Sequence, residues 1–170
     1  MTYQTKSPSP GGEMSCPLVR DHLRSQFCEV IPSTVEALNA IEEKVMAVVT
    51  NLACAPDDLL GVSLSLREAL ANAVVHGNEN DPSRRVLVAC FCDCTSDKGL
   101  LLVVRDEGPG FDPQAVPDPR GAEEIHSWHG RGIYLMRHFM DEVRYASEGR
   151  EIQLRKRRAN SRPSQRKENT

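Results

Sequence analysis

Two glycine-rich turns carry the strongest chemical signal in the sequence. Asp106-x-Gly108-x-Gly110 follows an apolar run of strand length, and Gly130-x-Gly132 precedes a helical pattern. Glycine lets a backbone approach a ligand closely, and a helix N-terminus offers unpaired N–H groups to a phosphate. Each turn alone is also compatible with an ordinary tight turn, and Asp106 with a turn residue. As a carboxylate at a strand end, Asp106 could instead accept a hydrogen bond from the amine of adenine.

A second group of polar residues has helical spacing. Glu68, Asn72 and His76 are separated by four residues each, so they should lie along one side of a helix. A solvated helix face is one interpretation of this pattern. The other is a site, because an amide oxygen and a carboxylate suit Mg²⁺ and a general base. His76, next to Gly77, could serve the helix end or touch the ligand.

The apolar periodicity predicts the elements that must position these side chains. Apolar residues recur every three or four positions from about residue 33 and again from about residue 57, which predicts two helices. Ser33 and Glu36 have the spacing of a capping box for the first helix. Asp57 or Asp58 is the expected N-cap of the second, which should end at residues 75–76 before Gly77. Strands are expected over residues 26–31, 86–94, 100–105, 142–146 and 151–155, and a third helix over residues 132–139.

The order β-α-α-β-β-α-β-β predicts an α+β fold rather than a Rossmann fold. We expect a two-layer sandwich, in which about three helices cover one face of a mixed, mostly antiparallel sheet. Residues 25–156 should form the domain, with a flexible N-terminal tail over 1–24 and a basic, flexible C-terminal tail over 157–170. Residues 112–129 contain several prolines and show no periodicity, which is typical of a functional lid, a disordered insert or a wrong assignment of elements.

Composition narrows the class of protein. A net charge of -3 does not indicate a nucleic-acid or membrane protein, and no apolar run is long enough to span a bilayer. The N-terminus lacks the apolar segment of a secretory signal, so a cytoplasmic location is expected. In that reducing compartment the cysteines should be thiols. They are Cys16, Cys28, Cys54, Cys90, Cys92 and Cys94. The last three alternate along a predicted strand, where a line of small apolar side chains fits better than a convergent zinc site.

Taken together and in this order, the motifs resemble those of a known superfamily. The segment from Glu68 to Gly77, E-A-L-A-N-A-V-V-H-G, is similar to the N box of the gyrase, heat-shock chaperone and histidine-kinase ATPases. The two glycine turns resemble its G1 and G2 boxes, with the ATP lid between them. Within the superfamily, the chain resembles the bacterial anti-sigma-factor serine/threonine kinases over about residues 26–155. The resemblance implies the histidine-kinase-like ATPase (Bergerat) fold.

By position, the resemblance also implies roles in binding ATP and Mg²⁺. Asp106 would bind the adenine amine, and Gly108 and Gly110 would admit the base. Asn72 would hold Mg²⁺ against the phosphates, and Glu68 would orient or deprotonate the attacking hydroxyl. Positioning and charge neutralisation of this kind suit phosphoryl transfer.

The G2 region carries one departure from the family pattern. Gly130, Arg131 and Gly132 would close around the phosphates. Sporulation-type members also have an arginine shortly before these glycines, whereas residues 125–129 here read Ile-His-Ser-Trp-His. Arg120 or Arg131 would have to replace that phosphate contact, or the protein would bind ATP with little or no kinase activity.

The resemblance implies protein partners. Such kinases phosphorylate a small antagonist with the STAS fold and bind a sigma factor when that antagonist is absent; many are homodimers. A non-catalytic, ATP-gated binding switch is the main alternative. A histidine kinase catalytic domain fits less well, because the chain before residue 26 is short and polar for a dimerisation helix pair. The basic run of residues 155–158 could contact nucleic acid, but its composition is that of a solvated tail.

Overall fold

The computed structural model describes residue 14 and residues 23–52, 58–93, 99–112 and 128–158, with backbone only for residues 128–131. The elements are β1 (Leu23–Pro32), α1 (Val35–Thr50), α2 (Leu59–Asn72), a π-helical turn (Ala73–Gly77), β2 (Arg85–Asp93), β3 (Gly99–Arg105), α3 (Trp128–Phe139), β4 (Glu142–Ala146), a 3₁₀ turn (Ser147–Gly149) and β5 (Glu151–Arg157).

The five strands form one sheet in the order β1-β2-β3-β5-β4. All four pairings are antiparallel, with Cys90 opposite Leu102 and Leu102 opposite Leu154 near the centre. The α+β class and the sheet with three helices are therefore confirmed. In the described residues no two strands are parallel, so the sheet is antiparallel rather than mixed.

The main core lies between the helices and one face of the sheet. Ile41 and Val45 of α1, Leu66 of α2 and Met136 of α3 are at most 1 % exposed and belong to one apolar cluster. They meet the inward-facing residues of the central strands, such as Leu102. Because strand side chains alternate, the other residues of these strands point to the opposite face of the sheet.

The two long helices begin with side-chain caps, one of which differs from the sequence prediction. Asp58 caps α2 by accepting a hydrogen bond from the Gly61 N–H at 2.9 Å, as predicted. The capping box of Ser33 and Glu36 is wrong, because Thr34 is the N-cap of α1. Ser33 is buried and its hydroxyl instead accepts a hydrogen bond from Asn78.

Several element boundaries also differ. β1 begins at Leu23 and β5 ends at Arg157, so the sheet reaches slightly beyond the predicted domain of residues 25–156. Helix α3 begins at Trp128 rather than at residue 132. Its low-propensity glycines made this first turn look non-helical in the sequence. The division into a domain and two tails otherwise stays a prediction, since most tail residues lie outside those described.

The expectation that all six cysteines are thiols is wrong, because Cys92 is disulfide-bonded. The prediction considered only the reducing environment of the cytoplasm, whereas a disulfide depends on two sulfur atoms at bonding distance. Cys90 is a buried thiol, and burial raises its pKa to about 12. Among the described residues, no group of metal-ligating side chains and no helix with the length and apolarity of a membrane span is found.

Candidate nucleotide-binding site

The C-terminal half of α2 faces the start of α3. A Cβ atom added at Gly132 would lie 2.5 Å from Glu68 Oε2 and 3.8 Å from Asn72 Nδ2. Both α2 side chains are partly exposed. The structure thus brings Glu68 and Asn72 close to Gly132, three residues that the motif resemblance assigned to one site. The reason for glycine here is the close approach of two helices, since residue 132 lies inside α3 rather than in a turn.

His76 lies beyond the end of the α-helix that carries Glu68 and Asn72. α2 ends at Asn72, and a π-helical turn continues to Gly77. A π turn has i→i+5 hydrogen bonds, so it breaks the spacing that would have aligned His76 with Glu68 on a regular helix. The His76 side chain is exposed. Such π turns are frequent at functional sites, and no feature of the sequence signalled this one.

The π turn packs directly against the first glycine turn. A Cβ atom at Gly108 would collide with the carbonyl oxygen of Gly77, and a Cβ atom at Gly77 would collide with the Asp106 carboxylate. Gly110 has φ of 79°, a conformation that side chains other than glycine rarely adopt. The glycines therefore allow three stretches of backbone to converge on Asp106.

Asp106 is held in a fixed and mostly buried position. Its Oδ1 accepts a hydrogen bond from the Gly108 N–H at 2.8 Å, and its own N–H donates to the Arg150 carbonyl at 2.9 Å. Burial raises the pKa of Asp106 to about 6, although that hydrogen bond and the charges of Arg150 and Arg84 act in the opposite direction. The carboxylate is still mainly ionised at neutral pH, with one oxygen left for a donor.

Sequence reasoning missed Asn78, which joins the parts of this site. Its side chain is fully buried; it donates to Ser33 Oγ and to the Arg85 carbonyl, and it accepts from the Glu107 N–H at 2.9 Å. Arg85 in turn pairs with Glu107 at 2.6 Å and lowers the pKa of that carboxyl group. Asn78 follows the Gly77 that ends the N-box pattern, and only that adjacency could have signalled it.

The remaining predicted site residues lie at the start of α3 and in the loop before it. Gly130 and Arg131 lie within the first turn of α3, whereas the sequence placed them just before a helix that begins at residue 132. The Arg131 side chain is outside the described part of the chain. Arg120 and the rest of residues 113–127 also lie outside it.

The residues present fit ATP and Mg²⁺. A mostly buried carboxylate with one oxygen uncommitted suits the amine edge of a purine. Mg²⁺ usually takes one or two protein oxygen ligands together with phosphates and water, so Asn72 with or without Glu68 is a sufficient set. The N-terminus of α3, next to these two side chains, is where phosphate oxygens are favoured.

Fold and site together define the class. A five-stranded antiparallel sheet, three helices on one face, and a helical segment that contacts both Gly132 and Asp106 are the features of a histidine kinase-like ATPase domain. The profile of that domain matches residues 31–156. The chain therefore belongs to the histidine kinase-like ATPase family.

Three relatives narrow the group within that family. The chain is similar to the anti-sigma F factor of Heyndrickxia coagulans, with 34% identity over 119 residues, which are 66% of this chain and 79% of the relative. The anti-sigma F factor of Geobacillus thermodenitrificans is 34% identical over 69% of this chain and 82% of its own length. That of Shouchella clausii is 31% identical over 61% and 70%, respectively. The resemblance to anti-sigma factors drawn from the motifs is confirmed.

Proposed function

We propose that this chain is an ATP-binding anti-sigma factor that phosphorylates a serine or threonine of an antagonist protein. The observation that carries the proposal is that one helical segment contacts both the start of α3 and the Asp106 carboxylate. Glu68 and Asn72 face Gly132 at the start of α3, and Gly77, nine residues beyond Glu68, packs on the Asp106 carboxylate. The segment thereby fixes the proposed phosphate-binding end, at Glu68 and Asn72, relative to the proposed base-binding end, at Gly77 and Asp106.

Each residue has a defined part in the proposed reaction. Asp106 accepts a hydrogen bond from the adenine amine, and Asn72 provides an oxygen ligand to Mg²⁺. The metal ion, when bound, neutralises charge on the phosphates. Glu68 takes the proton of the serine or threonine hydroxyl as that oxygen bonds to the γ-phosphorus, and ADP leaves with the electrons of the broken P–O bond.

The regulatory half of the proposal derives from the relatives, which are named for an action against a sigma factor. We infer the same partner here, together with a STAS-domain antagonist as the phosphate acceptor. A cytoplasmic location follows from that partner, because sigma factors work with RNA polymerase. A homodimer is compatible with the proposal and is tested by sedimentation.

The proposal is tested by Glu68→Gln, which keeps the size of the side chain and removes its basic oxygen. MgATP affinity should survive, while transfer of labelled phosphate to the antagonist should fall by about 10² to 10⁴-fold, as for other lost general bases. Glu43→Gln, on an exposed position of α1, is the matched control and should leave both quantities unchanged. Equal losses of affinity and rate would show that Glu68 holds the site together instead.

A second candidate function is supported by residues 125–129, which contain no arginine. Without a cationic contact to the terminal phosphate, the domain would act as a non-catalytic switch that binds its protein partner only with ATP. In that case labelled phosphate does not appear on the antagonist even at long times, and sigma-factor binding still depends on the nucleotide. Phosphate transfer by the wild type excludes this alternative.

A further inference from the structure

The turn that joins β4 to β5 packs against the glycine turn that carries Asp106. The N–H of Asp106 donates to the Arg150 carbonyl at 2.9 Å, and the N–H of Phe111 donates to the Glu148 carbonyl at 3.0 Å. Between these two bonds, a Cβ atom at Gly110 would lie 3.2 Å from Cγ of Arg150. The side chain of Arg150 therefore begins at the backbone contact that holds the proposed base-binding carboxylate.

The backbone of the β4–β5 turn fixes the position of Arg150. Ser147, Glu148 and Gly149 have φ of 51°, 59° and 85°, all in the left-handed region. Arg150 closes the turn, because its N–H donates to the Ser147 carbonyl at 3.2 Å and its Nε donates to the same oxygen at 3.0 Å. Only 24% of the Arg150 side chain is exposed, so its charge lies close to the protein interior.

Two cations act on the Asp106 carboxylate, and Arg150 is the stronger. Burial raises the pKa of Asp106, and among the charges that oppose this rise Arg150 contributes more than Arg84. The carboxylate bonded to Arg150 is that of Glu148, at 3.1 Å, whose side chain is 83% exposed and therefore well screened by water. Most of the Arg150 charge is thus left to act on Asp106.

The other ionisable groups near Asp106 act on it less. Arg84 lies between two carboxylates, 3.6 Å from that of Glu79 and 3.7 Å from that of Asp81. The elements packed against Asp106 also carry His76, which is exposed, Glu107, which is paired with Arg85, and Glu151, which is paired with Arg105. Of the two cations that act on Asp106, Arg150 is therefore the one less offset by carboxylates.

The protonation state of Asp106 decides which purine edge it can bind. An ionised carboxylate is only an acceptor, so it suits the amine on C6 of adenine. A protonated carboxyl group can donate its O–H, so it suits the carbonyl oxygen on C6 of hypoxanthine. One oxygen of Asp106 already accepts from the Gly108 N–H, so the base meets the other oxygen. A cation that keeps Asp106 ionised therefore favours adenine.

We propose that Arg150 is a positioning residue that makes the site selective for a purine with an amine on C6 over a purine with a carbonyl group there. Its guanidinium acts through Asp106, which it keeps in the acceptor form, and does not itself contact the base. The inference rests on the proposed function, because it takes Asp106 as the residue that binds the base.

The test compares the affinities for MgATP and MgITP by calorimetric titration between about pH 5.5 and about pH 8, a range that spans the titration of Asp106. ITP has the same triphosphate with hypoxanthine as its base, so effects of phosphate titration and of Mg²⁺ cancel in the ratio of the two affinities. In the wild type the preference for ATP should be greatest at the alkaline end. It should fall as the pH drops through about 6, the pKa of Asp106.

The decisive variant is Arg150→Gln, which removes the charge and keeps a side-chain donor for the Ser147 carbonyl. With the pKa of Asp106 raised by about one, the low end of the effect of a neighbouring opposite charge, the ionised fraction at pH 6 falls from about one half to about one tenth. The preference for ATP at that pH should then fall at least about five-fold, with little change at the alkaline end. Arg150→Lys keeps the charge and should restore the wild-type profile, and Arg24→Gln, at an exposed position of β1, is the matched control.

The outcomes separate this inference from the proposed function. A preference in Arg150→Gln that follows the wild type at every pH would overturn the role of Arg150. A preference lowered equally at all pH values would also overturn it, because such a change would indicate a distorted site rather than a changed protonation state. Failure of the wild type to bind MgATP would refute the proposed function itself, and the inference with it.

Discussion

Replacing Asp106 by asparagine should make the nucleotide-free protein more stable at neutral pH. Burial raises the pKa of Asp106 from an ordinary 3.8 to about 6. A difference of about two in pKa corresponds to about 3 kcal/mol, the cost of holding the ionised group in the folded protein. The asparagine side chain of the variant keeps an oxygen for the Gly108 N–H, so that hydrogen bond survives. Partial exposure of the site reduces the expected gain to about 1 to 2 kcal/mol.

The sign of the pH dependence follows from the raised pKa. Between about pH 4 and pH 6 the folded state binds more protons at Asp106 than the unfolded state does. The free energy of unfolding of the wild type therefore falls, relative to Asp106→Asn, as the pH rises through this range. Below about pH 4 Asp106 is neutral in both states, so its electrostatic penalty disappears. MgATP binding, in contrast, should be largely lost in the variant, because an amide cannot replace a carboxylate acceptor without rearrangement.

The assay is urea denaturation of both proteins at several pH values between about 4 and 8, together with calorimetric titration of MgATP. Nucleotide should raise the melting temperature of the wild type, and most of that increase should be absent in Asp106→Asn. Glu43→Gln removes an exposed carboxylate as a control. A stability difference that does not change with pH would refute the assignment of burial as the cause, and an unchanged response to MgATP would place the base elsewhere.

Three further predictions concern the rest of the site. Gly132→Ala should leave stability within about 1 kcal/mol, since alanine favours the helix, but should slow phosphate transfer because its Cβ displaces the neighbouring carboxylate. Asn78→Ala should lower the free energy of unfolding by about 1 to 3 kcal/mol in urea denaturation, because a backbone N–H loses its acceptor. Residues 112–129 should gain more hydrogen-exchange protection with a non-hydrolysable ATP analogue than with ADP, and Arg120→Ala or Arg131→Ala should remove that difference.

One control variant and two refuting outcomes accompany these predictions. Asn39→Ala, at an exposed position of α1, should be near neutral and calibrates the effect of removing an amide. The atom nearest to a Cβ at residue 132 is Oε2, at the far end of the Glu68 side chain, so this side chain should move aside. A large loss of stability in Gly132→Ala would show instead that α3 cannot accommodate a methyl group. Equal hydrogen-exchange protection with analogue, with ADP and without nucleotide would mean that residues 112–129 do not respond to the γ-phosphate.

Much of the architecture could be predicted from the sequence, because burial sets the period of each element. The stripe of α2 that includes Leu66 and Leu70 is buried as predicted, and β4 has the expected bounds, Glu142–Ala146. The contact between Glu68 and the second glycine turn was also predicted, from motif resemblance rather than from periodicity. Asp58 was one of two cap candidates, with Asp57, because a cap depends on residues within one turn.

The features that could not be predicted depend on contacts between distant residues. Ser33 lost the capping role to Thr34 because Asn78, far along the chain, takes its hydroxyl group. The π turn is likewise set by packing against the Asp106 turn and not by local propensity. Met14 packs against a second apolar cluster that includes Phe91 and Leu101, although it lies in a segment whose composition suggests only a tail.

The π turn explains how one helical segment contacts two separate parts of the candidate site. Glu68 and Gly77 are nine residues apart, which is about 13 Å along an α-helix. In a regular α-helix, the orientation of Gly77 relative to Asn72 would be fixed by the repeat of 3.6 residues per turn. The π turn changes that rotation after Asn72, so that Gly77 packs on Asp106 while Asn72 faces α3. In the proposed function, the π turn is therefore the feature that lets one helical segment contact both the Asp106 carboxylate and α3.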